Sequence, residues 1–414
     1  MASSAPATAE GLANRQSGVL IPSPRASTPF GPTIIALFLL ALALRPQIVA
    51  IGPLLPAIQA DLSISHAVSG LLTTIPVLCM GIFALAGPWL GRRLGTERAI
   101  AASVAAIVVF GLLRSAAPEP ISLLILTFGL GVGVGAVGPL LPVLVQQRAA
   151  HRAATVTGIY AGGIVVGTTL ASALAVPLAG AELNWRLPLA LFSLAALAGL
   201  LVAQRIVPAG QRASEDLDVR PPRLPWLRRR AWVLAVIFGA QSILFYAANS
   251  WLPAIYVERG WPQADAGLLV GLMNGVSLVG TFAAPVLADR IGRRASLAFA
   301  AGGPLAGFLG VTVAPDLALL WVTCIGIGSG AIFPLALTLP VDFARAGESA
   351  GGLAAIMLFG GYALAAAGPF VFGILRDATG TFGAGLWLMT LIAVAMVAMS
   401  WWLLPAGLGR RRTG

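Results

Sequence analysis

Twelve apolar runs of helical length, separated by short polar connections, leave this 414-residue chain little choice of fold. The runs lie near 32–60, 67–90, 98–117, 120–146, 154–180, 186–207, 231–258, 264–287, 295–314, 316–342, 349–374 and 383–404. Each is close to or above the roughly 20 residues that carry a helix across a bilayer. Backbone polar groups find no water in hydrocarbon, so such runs must bond internally as helices. With 58% hydrophobic and 10% charged residues, the expected fold is an all-α polytopic membrane protein.

The runs also divide the chain. Residues 1–30 are rich in Ala, Ser, Pro and Thr and lack the apolar stretch of a signal peptide, so they read as a disordered cytoplasmic tail. Two six-helix halves are expected at 31–207 and 231–405. A polar linker at 208–230 joins them, and a basic tail, 406–414, closes the chain. All 26 basic residues are Arg, and 21 of them fall on one side if the N-terminus is inside. Only Arg186, Arg259 and Arg376 fall in outer segments. This positive-inside bias places both termini in the cytoplasm. It also accounts for the net charge of +11: the expected neighbour is anionic lipid, not nucleic acid. Cys79 and Cys324 lie inside apolar runs and read as packing residues.

The two halves repeat each other. Leu55-Pro56-Ala57-Ile58 returns as Leu252-Pro253-Ala254-Ile255, and Gly70-Leu71-Leu72 as Gly267-Leu268-Leu269, both at an offset of 197. The glycine-rich stretch 131–140 returns at 326–335, an offset of 195. Two parallel repeats related by an axis along the membrane normal resemble the architecture of the major facilitator superfamily. The segment Leu287 to Arg294 is also similar to that superfamily's loop signature, with Pro285 where the pattern opens on Gly. The resemblance implies an inner gate at Asp289, Arg290, Gly292, Arg293 and Arg93; plain topological charge is the competing reading. It also implies that helices one, four, seven and ten line a central cavity.

Arg45 stands near the middle of the first run, which otherwise carries no charge. A cation at that depth costs at least roughly 2.5–3.5 kcal/mol. No acidic residue lies at the same depth, so two readings stand. Arg45 contacts an anionic solute, or it bonds backbone carbonyls freed by Pro46, Pro53 and Pro56. On helix seven, Gln241, Ser242, Phe245, Tyr246 and Asn249 fall at spacings of three and four and form one polar and aromatic stripe. Facing lipid would be costly, so the stripe should face the interior. Tyr160 and Tyr362 are each a cavity donor or a packing aromatic, and Asn274 and Ser277 should bond between helices. Arg114 is expected to snorkel toward the outer surface, with a role in an outer vestibule as the alternative. His66 and His151, in loops, suggest neither a metal site nor a relay. Glycine pairs four apart at 131/135, 158/162, 163/167, 271/275 and 326/330 read as close-packing faces.

Leu44-Arg45-Pro46 with Gly52-Pro53-Leu54-Leu55-Pro56 resembles the first helix of the cyanate and 2-nitroimidazole transporter family. Tyr246 with Trp251-Leu252-Pro253, Phe333-Pro334-Leu335, Gly361-Tyr362, Gly368-Pro369 and Arg376-Asp377 are similar to it too. The resemblance implies a bacterial inner-membrane transporter of small anionic or nitro-bearing solutes. The candidate solute contacts are then Arg45, Gln241, Tyr246, Asn249, Tyr362 and Phe333. No nucleotide-binding loop, nucleophile–base set or metal cluster is legible, so no cofactor, ATP drive or catalysis is expected. A monomer is expected. The absence of an embedded acid favours facilitated diffusion or exchange over proton symport. The alternatives are an exporter of neutral or nitroaromatic compounds and, further off, a membrane sensor.

Overall fold

The computed structural model describes residues 30–149, 152–206, 224–344 and 349–402. The expected tails at 1–29 and 403–414, most of the linker, and His151, Arg345 and Glu348 lie outside the described residues. Every long element among the described residues is a helix, and together they make twelve spans. The first half comprises α1 (Phe30–Leu42), α2 (Pro46–Val49), α3 (Ile51–Leu62), α4 (His66–Leu94), α5 (Thr96–Ser115), α6 (Pro120–Val137), α7 (Leu140–Ala149), α8 (Ala153–Ala179) and α9 (Arg186–Ile206). The second comprises α10 (Arg229–Glu258), α11 (Gln263–Ile291), α12 (Arg293–Val313), α13 (Ala318–Phe343), α14 (Ala350–Thr379) and α15 (Gly383–Trp402).

Two spans are broken, both at proline. In the first, α1 ends in tight turns, with Ala43 and Leu44 N–H bonding three residues back. Arg45 then caps α2 and Pro46 takes its first position, where a missing N–H costs nothing. In the fourth, α6 and α7 meet at Gly138-Pro139, a break that the apolar run did not announce. Pro334, its counterpart in the repeat, stays inside an unbroken α13.

Small residues set the closest packing, as their spacing suggested. A Cβ on Gly326 or Gly330 would run into the Met273 or Ser277 carbonyl of α11, and one on Gly135 into the Cys79 carbonyl of α4. Gly163 and Gly167 abut α1, and Gly271 packs on Ala173 of α8. The pair Gly158/Gly162 is the exception: nothing lies within 4 Å of either.

The halves meet along α4 with α14, α8 with α11, and α3 with α10. The hydrogen bonds that cross between them cluster at mid-depth and toward the end remote from the chain termini. Ser250 bonds Thr73 at 2.9 Å, Gln263 bonds the Pro53 carbonyl at 2.8 Å, and Thr74 bonds the Ala366 carbonyl at 2.5 Å. At the remote face, Asp377 of α14 accepts from the backbone N–H groups of His66 and Ala67 and from the His66 ring. It therefore caps the first turn of α4 from the other half. His66, read from sequence as an unengaged loop residue, also packs against Trp251 and Phe382 of the second half.

At the terminal end, two ion pairs among the described residues lie within one half each. Arg148 of α7 pairs with Glu97 of α5, and Arg293 of α12 pairs with Asp342 of α13 at 2.7 Å. Two of the three Arg at the remote end are also paired: Arg186 with Asp61 at 2.6 Å and Arg376 with Glu258 at 2.7 Å.

Candidate functional site

A cavity of about 90 Å³ lies between the halves at mid-depth. A single water needs roughly 10–15 Å³ by the same measure, so the space suits a solute of a few to about ten heavy atoms. Arg45 and Ile164, Val165 and Thr168 of α8 form the first-half wall. Gln241, Ser242, Phe245 and Tyr246 of α10, Asn274, Ser277 and Thr281 of α11, Ser329, Gly330 and Phe333 of α13, and Tyr362 of α14 form the rest.

Arg45 reaches the cavity because the chain breaks there. Its guanidinium, half-buried and facing the cavity, donates from Nη1 to the Tyr246 hydroxyl at 2.6 Å and lies 5.7 Å from the centre of that ring. The Tyr362 hydroxyl is also within its reach. Tyr246 is itself buried and braced by Met80 at 3.5 Å. A hydrogen bond to a charged group contributes roughly 1.5–3 kcal/mol, and a cation–π contact about 0.5–2 kcal/mol. Together these are of the size needed to offset the cost of placing Arg45 at this depth. They do not neutralise the charge, and a guanidinium carries five N–H donors, more than these contacts use. Among the described residues, no carboxylate lines the cavity. Of the two readings of Arg45, pairing with freed carbonyls is not what the described residues show: its guanidinium bonds a tyrosine hydroxyl.

Five of the six expected contacts come together. Arg45, Gln241, Tyr246, Phe333 and Tyr362 all line the cavity. Phe238 wedges Tyr362 and Phe333 from behind, with ring centres at 5.1 Å and 6.0 Å. Asn249 is the correction. One turn beyond Phe245, it lies in the remote seal, where Gly52 of α3 presses on its carbonyl. Its amide is spent on the Phe245 carbonyl at 2.9 Å, and its Oδ1 accepts from Asn274 at 2.8 Å. Asn274 in turn reaches Ser172 of the first half at 3.1 Å, the interhelical role expected of it.

The expected wall is also corrected. No described residue of the fourth span lines this cavity; its Gly131 and Gly135 pack on α4. The fifth, eighth and eleventh spans do line it. Thr168, Thr281 and Ser329 were missed in the sequence; lone hydroxyls beside glycines were the available signal. Tyr160 is half-buried and packs against the core. Arg114 does not snorkel: it has no exposed surface and bonds Gln47 twice, at 2.6 Å and 2.8 Å.

The expected gate residues lie at the terminal end. Arg93 stacks on Trp89 of its own helix at 4.8 Å, and Arg293 keeps to Asp342 and Thr338 in its own half. Asp289 and Arg290 are exposed, and Gly292 turns the chain between α11 and α12 with φ of 82°. Among the described residues, none of them bonds across to the opposite half.

A membrane bundle of two pseudo-symmetric six-helix halves around a central cavity defines a secondary transporter. The chain belongs to the Major Facilitator Superfamily, whose family model matches residues 35–369. Among its relatives, the cyanate transport protein of Escherichia coli K12 is 32% identical over 84% of this chain and 91% of its own length. The 2-nitroimidazole transporter of the same organism is 32% identical over 88% of this chain and 92% of its own. The crystal structure of a D-xylose-proton symporter superposes with a TM-score of 0.76, covering 93% of this chain and all of that one, at 16% identity. That likeness speaks to the fold alone.

Proposed function

We propose that this protein carries a small anionic or nitro-bearing solute by alternating access, with Arg45 as its charge contact. The observation that carries the proposal is a guanidinium with spare donors in a cavity that no carboxylate lines. Forked donors of this kind fit the planar oxygen pairs of small anions and nitro groups. Gln241, Tyr246 and Tyr362 supply hydrogen bonds from the second half, and Phe333 supplies an apolar wall. Relatives named for cyanate and 2-nitroimidazole transport support this class of solute.

By the charge rule, the end bearing the termini faces the cytoplasm of a bacterial inner membrane. The seal at the remote end then makes this the inward-facing state. Asp289, Arg290, Gly292, Arg293 and Arg93 form the inner gate, which engages across the halves when the cavity turns outward. The protein works as a monomer in contact with anionic lipid.

Uptake into proteoliposomes by wild type, Arg45→Ala and Arg45→Lys, with cyanate, nitrate and 2-nitroimidazole, tests the proposal. Truncating one partner of a desolvated charge contact costs roughly 2–5 kcal/mol, so Arg45→Ala should weaken binding by about thirtyfold or more. Undiminished transport in both variants sinks the assignment.

A further inference from the structure

Arg114 of α5 is a second buried cation, and it lies outside the cavity wall. Its Nη2 bonds the backbone oxygen and the Oε1 of Gln47. Gln47 is held from behind by the Leu189 carbonyl at 2.9 Å and Ser193 at 2.7 Å, both on α9. The Nε and Nη1 of Arg114 are buried without a hydrogen-bond partner. All its partners are neutral, and a guanidinium cannot shed its proton, so a full positive charge stands uncancelled. Arg45 and Gln47 are two residues apart and leave the first span on nearly opposite sides, one into the cavity and one toward Arg114.

We infer that Arg114 is a specificity-determining residue that never touches the solute. It pins the segment carrying Arg45 and, from behind that segment, adds a second positive charge to the potential inside the cavity. A helix with its side chains is about 10–12 Å across. Across that distance, at an effective dielectric of about 20, one unit charge changes the occupancy of another on the order of tenfold. Anions are drawn in by both cations, and cations are excluded by both. The consequence for solute choice rests on the anion reading of the site. The potential itself can be measured without any solute.

The full chain carrying Cys79→Ala and Cys324→Ala, with Val165→Cys as a reporter in the cavity wall, serves for this. Its reaction rates with a negatively charged sulfonatoethyl and a positively charged trimethylammonioethyl methanethiosulfonate are compared as a ratio. Arg114→Gln should lower the negative-to-positive ratio at least about tenfold. Arg114→Lys should restore it. Gln47→Glu sets a carboxylate on the guanidinium and should lower the ratio in the same direction with Arg114 still in place, which covers a failure of Arg114→Gln to fold. Ser193→Ala loosens the anchor but leaves the charge, and should keep the ratio within about twofold. An unchanged ratio in Arg114→Gln or Gln47→Glu overturns the inference, as does an equal fall in Ser193→Ala. Failure of the parent chain to bind cyanate or nitroimidazole would sink the solute reading instead, and would leave the measured ratio to stand for or against Arg114.

Discussion

Tyr246 ties the central cation to the second half of the molecule. Its hydroxyl is the acceptor at 2.6 Å from Arg45, and its buried ring meets that of Phe245 edge-on at 5.3 Å. Tyr246→Phe keeps the ring and removes the acceptor. The freed N–H loses roughly 1–3 kcal/mol, and the guanidinium gains a choice of orientations. Cyanate affinity, measured by scintillation proximity, should fall severalfold because the guanidinium is no longer pre-organised, and the melting temperature should fall with the lost bond. Tyr362→Phe, whose hydroxyl is also near the guanidinium, should show a smaller fall. Equal affinities in all three proteins would detach the tyrosines from the site. At this scale the sequence was half legible. A lone Arg in an apolar run announces itself, and the helix-seven stripe named its face. Periodicity gives a face but not a depth, so Asn249 was placed one turn too deep into the site. It gives no partner either, so Arg114 was sent to the surface although Gln47 offered it two acceptors.

Among the elements, glycines divide into those that pack one half and those that let the halves meet. Gly330 touches α11 of its own half, whereas Gly52 of α3 touches the Asn249 backbone of the opposite half. The same substitution should therefore have different results. Gly330→Ala must push apart two helices of one half and should cost stability, seen as a lower melting temperature. Gly52→Ala obstructs the remote seal alone. It should leave each half folded and shift the population outward, read as faster alkylation of a cysteine placed at Thr73. Slower or unchanged alkylation would refute the division. The cap that Asp377 gives α4 makes a matching case, since it too exists only while that seal is closed. Asp377→Asn keeps an acceptor but removes the charge that favours a helix N-terminus, by about 0.3–1 kcal/mol, and should move the same readout the same way more weakly. Element ends were the least legible feature. Helices α4, α11 and α14 run on past their apolar runs to Leu94, Ile291 and Thr379. Hydropathy marks where lipid ends, while a helix ends only where its backbone finds other partners.

For the whole molecule, the absence of a carboxylate from the cavity wall bears on the driving force. Proton coupling normally needs a titrating group that the solute can sense. Counterflow of labelled cyanate should proceed without a pH gradient and be unaffected by a protonophore. Accumulation that follows the proton gradient would require a proton carrier elsewhere. The overall plan was the most legible level of all. Lipid forces every backbone group to bond within its own helix, so run length alone gave the twelve spans, and the repeat then gave their pairing. The break at Gly138-Pro139 escaped, because Pro334, at the equivalent place, is absorbed without one.

The paired charges at the terminal end occupy no common position in the two halves. The turn glycines Gly95 and Gly292 stand 197 residues apart, which sets Glu97 against Arg294 and not against its neighbour Arg293. The offset of 195 for the glycine-rich stretch sets Arg148 against Phe343 and not against Asp342. Each half nonetheless ties the start of its third span to the end of its fourth with one ion pair, α5 to α7 and α12 to α13, and the polarity differs. What the halves share is a tie between the same two elements, made with different residues. Reversing the sign of one partner alone should break a pair, whereas reversing both should rebuild it.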